Sequence, residues 1–66
     1  MTDAYSQGMY KANQDYNVGG SNALAQMREY SSQNWVEVQK VETQELAEWM
    51  TDYAMGYDRG ITLCNS

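Results

Sequence analysis

Apolar residues recur at intervals of three and four along three stretches of this chain, the spacing that gathers side chains on one face of an α-helix. The pattern is cleanest in the last stretch, where Leu46, Trp49, Met50, Tyr53, Ala54, Tyr57 and Ile61 fall at 0, 3, 4, 7, 8, 11 and 15. Thr43 is placed to cap this helix, and Gly60 is placed to stop it. The first stretch presents Tyr5, Met9, Ala12 and Tyr16, with Thr2 or Asp3 as its cap. Asn17-Val18-Gly19-Gly20 ends it, because paired glycines supply the positive φ of a helix stop, and Val18 is expected to tuck back onto the core. The second stretch, opened by Ser21 or Asn22, carries Leu24, Met27, Ser31, Trp35 and Val38. Its Ser31-Ser32-Gln33-Asn34 segment is weakly helical, and the β-branched residues that follow leave 33–41 open between helix and strand. A lone strand has nothing to pair with, which favours helix.

Breakers sharpen this picture. Proline is absent, and neither breaker occurs in the thirty-five residues between Gly20 and Gly56, whereas an all-β chain needs a turn every ~8–12 residues. The expected fold is a single all-α domain of three helices, at about residues 3–16, 21–40 and 43–59, with 61–66 as a frayed tail.

One pattern occurs twice. Tyr5-Ser6-Gln7-Gly8-Met9-Tyr10-Lys11-Ala12 is echoed by Tyr53-Ala54-Met55-Gly56-Tyr57-Asp58-Arg59-Gly60. On a helix the tyrosine, the glycine and the last small residue share one face, so a ring stands beside two places where almost nothing protrudes. A mid-helix glycine costs about 1 kcal/mol relative to alanine, which implies a compensating contact. Gly8 with Ala12, and Gly56 with Gly60, have the four-residue spacing that lets helices approach closely, as in membrane helix pairs. Helices one and three are therefore expected to meet through Tyr5, Gly8, Ala12, Tyr53, Gly56 and Gly60. A dimer formed through the same face, or a partner helix received there, is the sharper alternative.

Composition narrows the chemistry. A chain of 66 residues is near the size at which stability is marginal and a deep catalytic cleft is hard to build. A single cysteine, Cys64, permits no internal disulfide, and with no histidine the usual zinc sets are missing, so no metal or cofactor is expected. Four Lys/Arg against nine Asp/Glu give a net charge of −5, with the bases scattered singly, which argues against direct nucleic-acid binding. No run approaches the ~18 apolar residues of a membrane span, and Met1-Thr2-Asp3-Ala4-Tyr5 is not a signal-peptide start, so a cytoplasmic protein is expected.

The candidate chemistry lies on surfaces. Glu45, Glu48 and Asp52 form an acidic stripe opposite the apolar one, either a solvated face or a docking stripe for a basic patch. General acid–base work would need burial to separate carboxylate pKa values, and these positions are polar-facing. The calcium-loop pattern is absent. Tyr10 and Tyr30 fall off the core stripes, and tyrosine is enriched among interface anchors. Cys64 has no histidine to activate it, so an enzyme is not expected.

The paired motif, with Tyr5, Gly8, Met9 and Ala12 in the first helix and Tyr53, Gly56, Tyr57 and Gly60 in the last, is similar to that of the bacterial ribosome modulation factor family and its phage-borne relatives. The match covers about a quarter of the chain; the Cys-Pro-Tyr connector of that family is missing, the segment between motifs is longer, and the charge is acidic rather than basic. The resemblance implies a ribosome-associated regulator, the weakest of three readings. The favoured one is a small acidic non-enzymatic interaction protein that binds and modulates a protein partner with a basic nucleic-acid-binding surface, inhibition being the expected form, of the kind phages direct at host machinery. The other is a structural subunit of a larger assembly. A homodimer is compatible with either.

Overall fold

The computed structural model describes residues 3–64, of which 94% are helical, with no strand among them. Asp3 caps the first helix: its carboxylate accepts the Ser6 N–H at 2.8 Å, a hydrogen bond to the charged form that lowers the Asp3 pKa. Thr2, the alternative cap, lies outside the described residues. This first limb, α1, spans Ala4–Gly19 and so overruns the expected end at Tyr16.

The expected break between helices one and two is replaced by a bend. Gly20 takes the left-handed φ of 61° and its N–H bonds to the Tyr16 carbonyl, after which Gly20–Ala23 make a single 3₁₀ turn. The second limb, α2 (Leu24–Lys40), follows without a gap. The described residues therefore form two helical units rather than three: a long bent helix from Ala4 to Lys40, then α3 (Gln44–Cys64). The 3₁₀ turn explains the difference. Its backbone continues the hydrogen-bond ladder, with the Leu24 N–H on the Ser21 carbonyl, and neither Ser21 nor Asn22 makes a side-chain cap. Because helix continues through Gly19, Val18 swings outward and is 91% exposed instead of tucking into the core.

Residues 33–41 resolve as helix up to Lys40, with Val41 extended. The connection 41–43 then leads into α3, which contacts α2 through Tyr30, Ser31 and Trp35. The Thr43 carbonyl accepts the Ala47 N–H at 3.0 Å as α3 begins. Gly60 does not stop α3, and residues 61–64 are helix rather than frayed tail; Asn65 and Ser66 lie outside the described residues. The reason is burial: Gly60 and Ile61 are both buried, and Ile61 joins Ala12, Met27 and Tyr57 in the core.

Helices α1 and α3 pack closely, and the repeated motif makes the contact. A Cβ on Gly8 would strike the Tyr53 carbonyl and lie 2.7 Å from the Tyr57 nitrogen. A Cβ on Gly56 would strike the Tyr5 carbonyl and lie 2.8 Å from its carbon. At Gly60 it would come within 2.5 Å of the Ala12 Cβ. The contact is reciprocal: the glycine of each copy rests on the backbone of the tyrosine of the other. Tyr5 faces Gly56 and Ala12 faces Gly60, so the two helices run in the same sense. Because α1 begins beside Gly56, the first half of α3 extends past the start of α1.

Backbone atoms cannot move aside as a flexible side chain can. Gly8→Ala and Gly56→Ala are each expected to lower unfolding free energy by about 1–3 kcal/mol through overpacking, despite the ~1 kcal/mol that alanine adds in helix propensity. Urea denaturation checks this, and equal or raised stability in both variants would remove the close contact.

Candidate interaction surface

The interior is thin, and polar ends of aromatic side chains hold it together. Tyr57 is the one large side chain fully enclosed among the described residues, and its hydroxyl donates to Asp15 Oδ2 at 2.7 Å. Lys11, one turn before Asp15, pairs with the same carboxylate at 3.2 Å. The Tyr30 ring meets the Tyr57 ring edge-on at 4.8 Å between centroids, and the Tyr30 and Tyr53 hydroxyls share a hydrogen bond of 3.2 Å. Asp58 ties α2 to α3: Oδ2 accepts from the Trp35 indole at 2.9 Å, and Oδ1 accepts from the Ser31 hydroxyl. This last pair explains why the polar 31–34 segment does not interrupt α2, since its hydroxyl and the neighbouring indole both bind α3.

Burial raises the pKa of Tyr57, and the hydrogen bond to the Asp15 carboxylate raises it further. Tyr53 is raised too, first by burial and then by its bond to Tyr30. Both phenols are held in the neutral form, and Tyr57 donates its hydrogen bond to the Asp15 carboxylate.

An open cleft of about 370 Å³ lies over this network, bounded by Lys11, Asp15, Gln26, Met27, Tyr30 and Tyr57. Its charged groups already satisfy each other. A smaller groove, about 260 Å³, separates Met9, Tyr10 and Asn13 from Gly60, Leu63 and Cys64. Cys64 is half-buried there. No group of three His, Cys, Asp or Glu among the described residues is arranged to hold a metal ion, and no helix is long and apolar enough to cross a membrane.

The residues singled out from the sequence separate into three places. Glu45, Glu48 and Asp52 stand together, exposed, on the first half of α3, where Glu48 accepts from Gln44 at 3.3 Å. The two ion pairs among the described residues are Lys11–Asp15 and Lys40–Glu37, so the acidic trio has no basic partner there. Tyr10 is 64% exposed but lies at the opposite end of α3, beside residues 60–64, with its hydroxyl accepting from Gln14 at 3.1 Å. Tyr30 belongs to the hydroxyl network over the core. Tyr10 is thus apart from the acidic stripe, whereas Tyr30 reaches Tyr53, the residue that follows Asp52.

Two apolar positions were misassigned by the stripe. Leu46 and Trp49 continue the core pattern of α3, yet they are 49% and 44% exposed. The Trp49 ring stacks on Tyr53, with centroids 5.6 Å apart and planes 11° apart. The signal available was one of length: a first helix that meets α3 at Gly56 leaves the turns before Tyr53 uncovered. The roles of Asp15 and Asp58 had no sequence signal beyond the i, i+4 spacing of Lys11 and Asp15.

No protein-family model, curated protein or solved structure matches this chain.

A tyrosine whose folded pKa is raised adds stability that is complete below its unfolded value and is lost as pH rises through the folded value. Stability is therefore expected to fall above pH 10.0, the ordinary tyrosine value, as Tyr53 and Tyr57 are forced to ionise. Tyr57→Phe should weaken that alkaline dependence while costing about 1 kcal/mol at neutral pH for the lost hydrogen bond. Thermal melts of both proteins from pH 7 to 11 check this, and parallel curves would contradict it.

Proposed function

We propose that this protein is a non-enzymatic interaction module that binds a protein partner carrying a basic, nucleic-acid-binding surface, and inhibits it by covering that surface. The observation behind this reading is the first half of α3. Glu45, Glu48 and Asp52 are exposed on it without a basic partner among the described residues, and residues 41–58 contain no Lys or Arg. Opposite potentials steer such surfaces together and suppress wrong partners. The module would act in the cytoplasm, as an accessory inhibitor of the kind phages direct at host machinery, without contacting nucleic acid itself.

A second reading, a subunit stabilised by its neighbours in an assembly, draws on the thin core and the half-exposed Leu46 and Trp49. Mass measurement in solution separates the two, since a stable, folded monomer argues against an obligate subunit.

The inhibitor reading is tested by affinity capture from the native cell with the wild-type chain and with a Glu45→Gln, Glu48→Gln, Asp52→Asn variant, followed by mass spectrometry. The wild type is expected to retain a basic nucleic-acid-handling protein that salt releases and the variant fails to hold. Equal capture by both would overturn the role of the acidic stripe.

A further inference from the structure

The face of α3 that seats α1 does not stop where α1 starts. Trp49, Tyr53, Gly56 and Gly60 lie at i, i+4, i+7 and i+11, one line along the helix. The glycine end of that line is filled by α1, whereas Trp49 and the adjacent Leu46 remain half exposed. Their stripe neighbours Ala54 and Tyr57 are fully buried, so the difference comes from cover and not from helix register. The uncovered segment is bordered by Glu45 and Asp52, which have no ionic partner among the described residues.

We propose that Trp49 and Leu46 form the docking seat for a basic amphipathic helix of a partner protein, laid on α3 in line with α1. This rests on the reading of α3 as a binding face and names the occupant. Helical shape is indicated by α1, which shows that this line of α3 accepts a helix. At the seat, however, a large indole takes the place of glycine, so the contact is an aromatic anchor rather than close backbone approach. The sign of the partner follows from charge. A second copy of this chain would bring its own Glu45, Glu48 and Asp52 against the same residues, with a net charge of −5 on each molecule. A helix with Lys or Arg flanking an apolar stripe meets indole, leucine and carboxylates together.

The probe is a fluorescently labelled synthetic helix of eighteen residues, Leu on one face and Lys on the other, with a Glu-for-Lys version as control. Fluorescence anisotropy should show salt-sensitive binding of the Lys helix and none of the Glu helix. Trp49→Ser and Leu46→Ser should each weaken it roughly tenfold or more, while Val18→Ser, on an unrelated exposed position, leaves it unchanged. Circular dichroism confirms that each variant is folded. Binding that survives Trp49→Ser and Leu46→Ser but is lost in the Glu45→Gln, Glu48→Gln, Asp52→Asn variant would overturn the seat and leave the acidic-face reading intact. Absence of binding to the Lys helix, or equal binding of the Glu helix, would overturn the charge argument. A concentration-dependent dimer that Trp49→Ser abolishes, seen by analytical ultracentrifugation, would overturn the basic-helix occupant and assign the seat to a second copy.

Discussion

The contact between two glycines and two tyrosine backbones organises this molecule. Gly8 rests on Tyr53, and Gly56 rests on Tyr5, so α1 and α3 approach until neither tolerates a Cβ. At that separation large side chains cannot lie between the helices, and they are displaced to the side where α2 returns. Tyr57 is directed there, under Met27 and Tyr30, and Ile61 follows it one turn later. The bend at Gly20 must then swing α2 across those residues without a long loop. A left-handed glycine and one 3₁₀ turn do so while keeping the chain helical.

So thin a core accounts for the choice of aromatic residues. Phenylalanine is absent, and tyrosine occurs six times. A ring that crosses a narrow interior reaches its far side, where a bare hydrocarbon edge would meet polar groups. A hydroxyl or an indole N–H gives that edge a partner. Tyr57 finds Asp15, Tyr53 finds Tyr30, and Trp35 finds Asp58. These bonds join elements far apart in sequence, so they fix the relative placement of the helices where apolar area alone would leave them free to slide.

What the sequence revealed follows from what periodicity measures. Spacing reports which residues share a helical face, so the line along α3 and the paired Tyr-x-x-Gly motif were legible, and the motif located where α1 and α3 meet. Spacing does not report how much of a face its neighbour covers, which is why Trp49 and Leu46 looked like core. Nor does it distinguish a glycine that bends a helix from one that serves a contact. Gly20 and Gly60 look alike in sequence; Gly20 has a positive φ with nothing near its would-be Cβ, whereas Gly60 is pressed against Ala12 inside a continuing helix. The Ser31–Asp58 and Trp35–Asp58 bonds depend on the angle at which α2 crosses α3, which no local pattern encodes.

The division of α3 near Tyr53 separates two kinds of constraint. Beyond it, Gly56, Tyr57 and Gly60 are tied to other elements by contacts that leave little room for another residue, so that half serves stability. Before it, Glu45, Leu46, Glu48, Trp49 and Asp52 are exposed, and their contacts within the chain are few, chiefly the Trp49–Tyr53 stack and the Gln44–Glu48 hydrogen bond. An indole left half in water, beside carboxylates with no ion pair among the described residues, adds little to the stability of the isolated molecule, and an exposed apolar side chain adds a liability to associate. The proposed helix contact would cover that combination. Placing it on the same helix as the glycine contact gives it a rigid base, because α3 is held from both sides by α1 and α2. Tyr53 joins the two halves: its backbone seats Gly8, and its ring stacks on Trp49. The proposed anchor, Trp49, is therefore positioned by the same residue that receives the first helix.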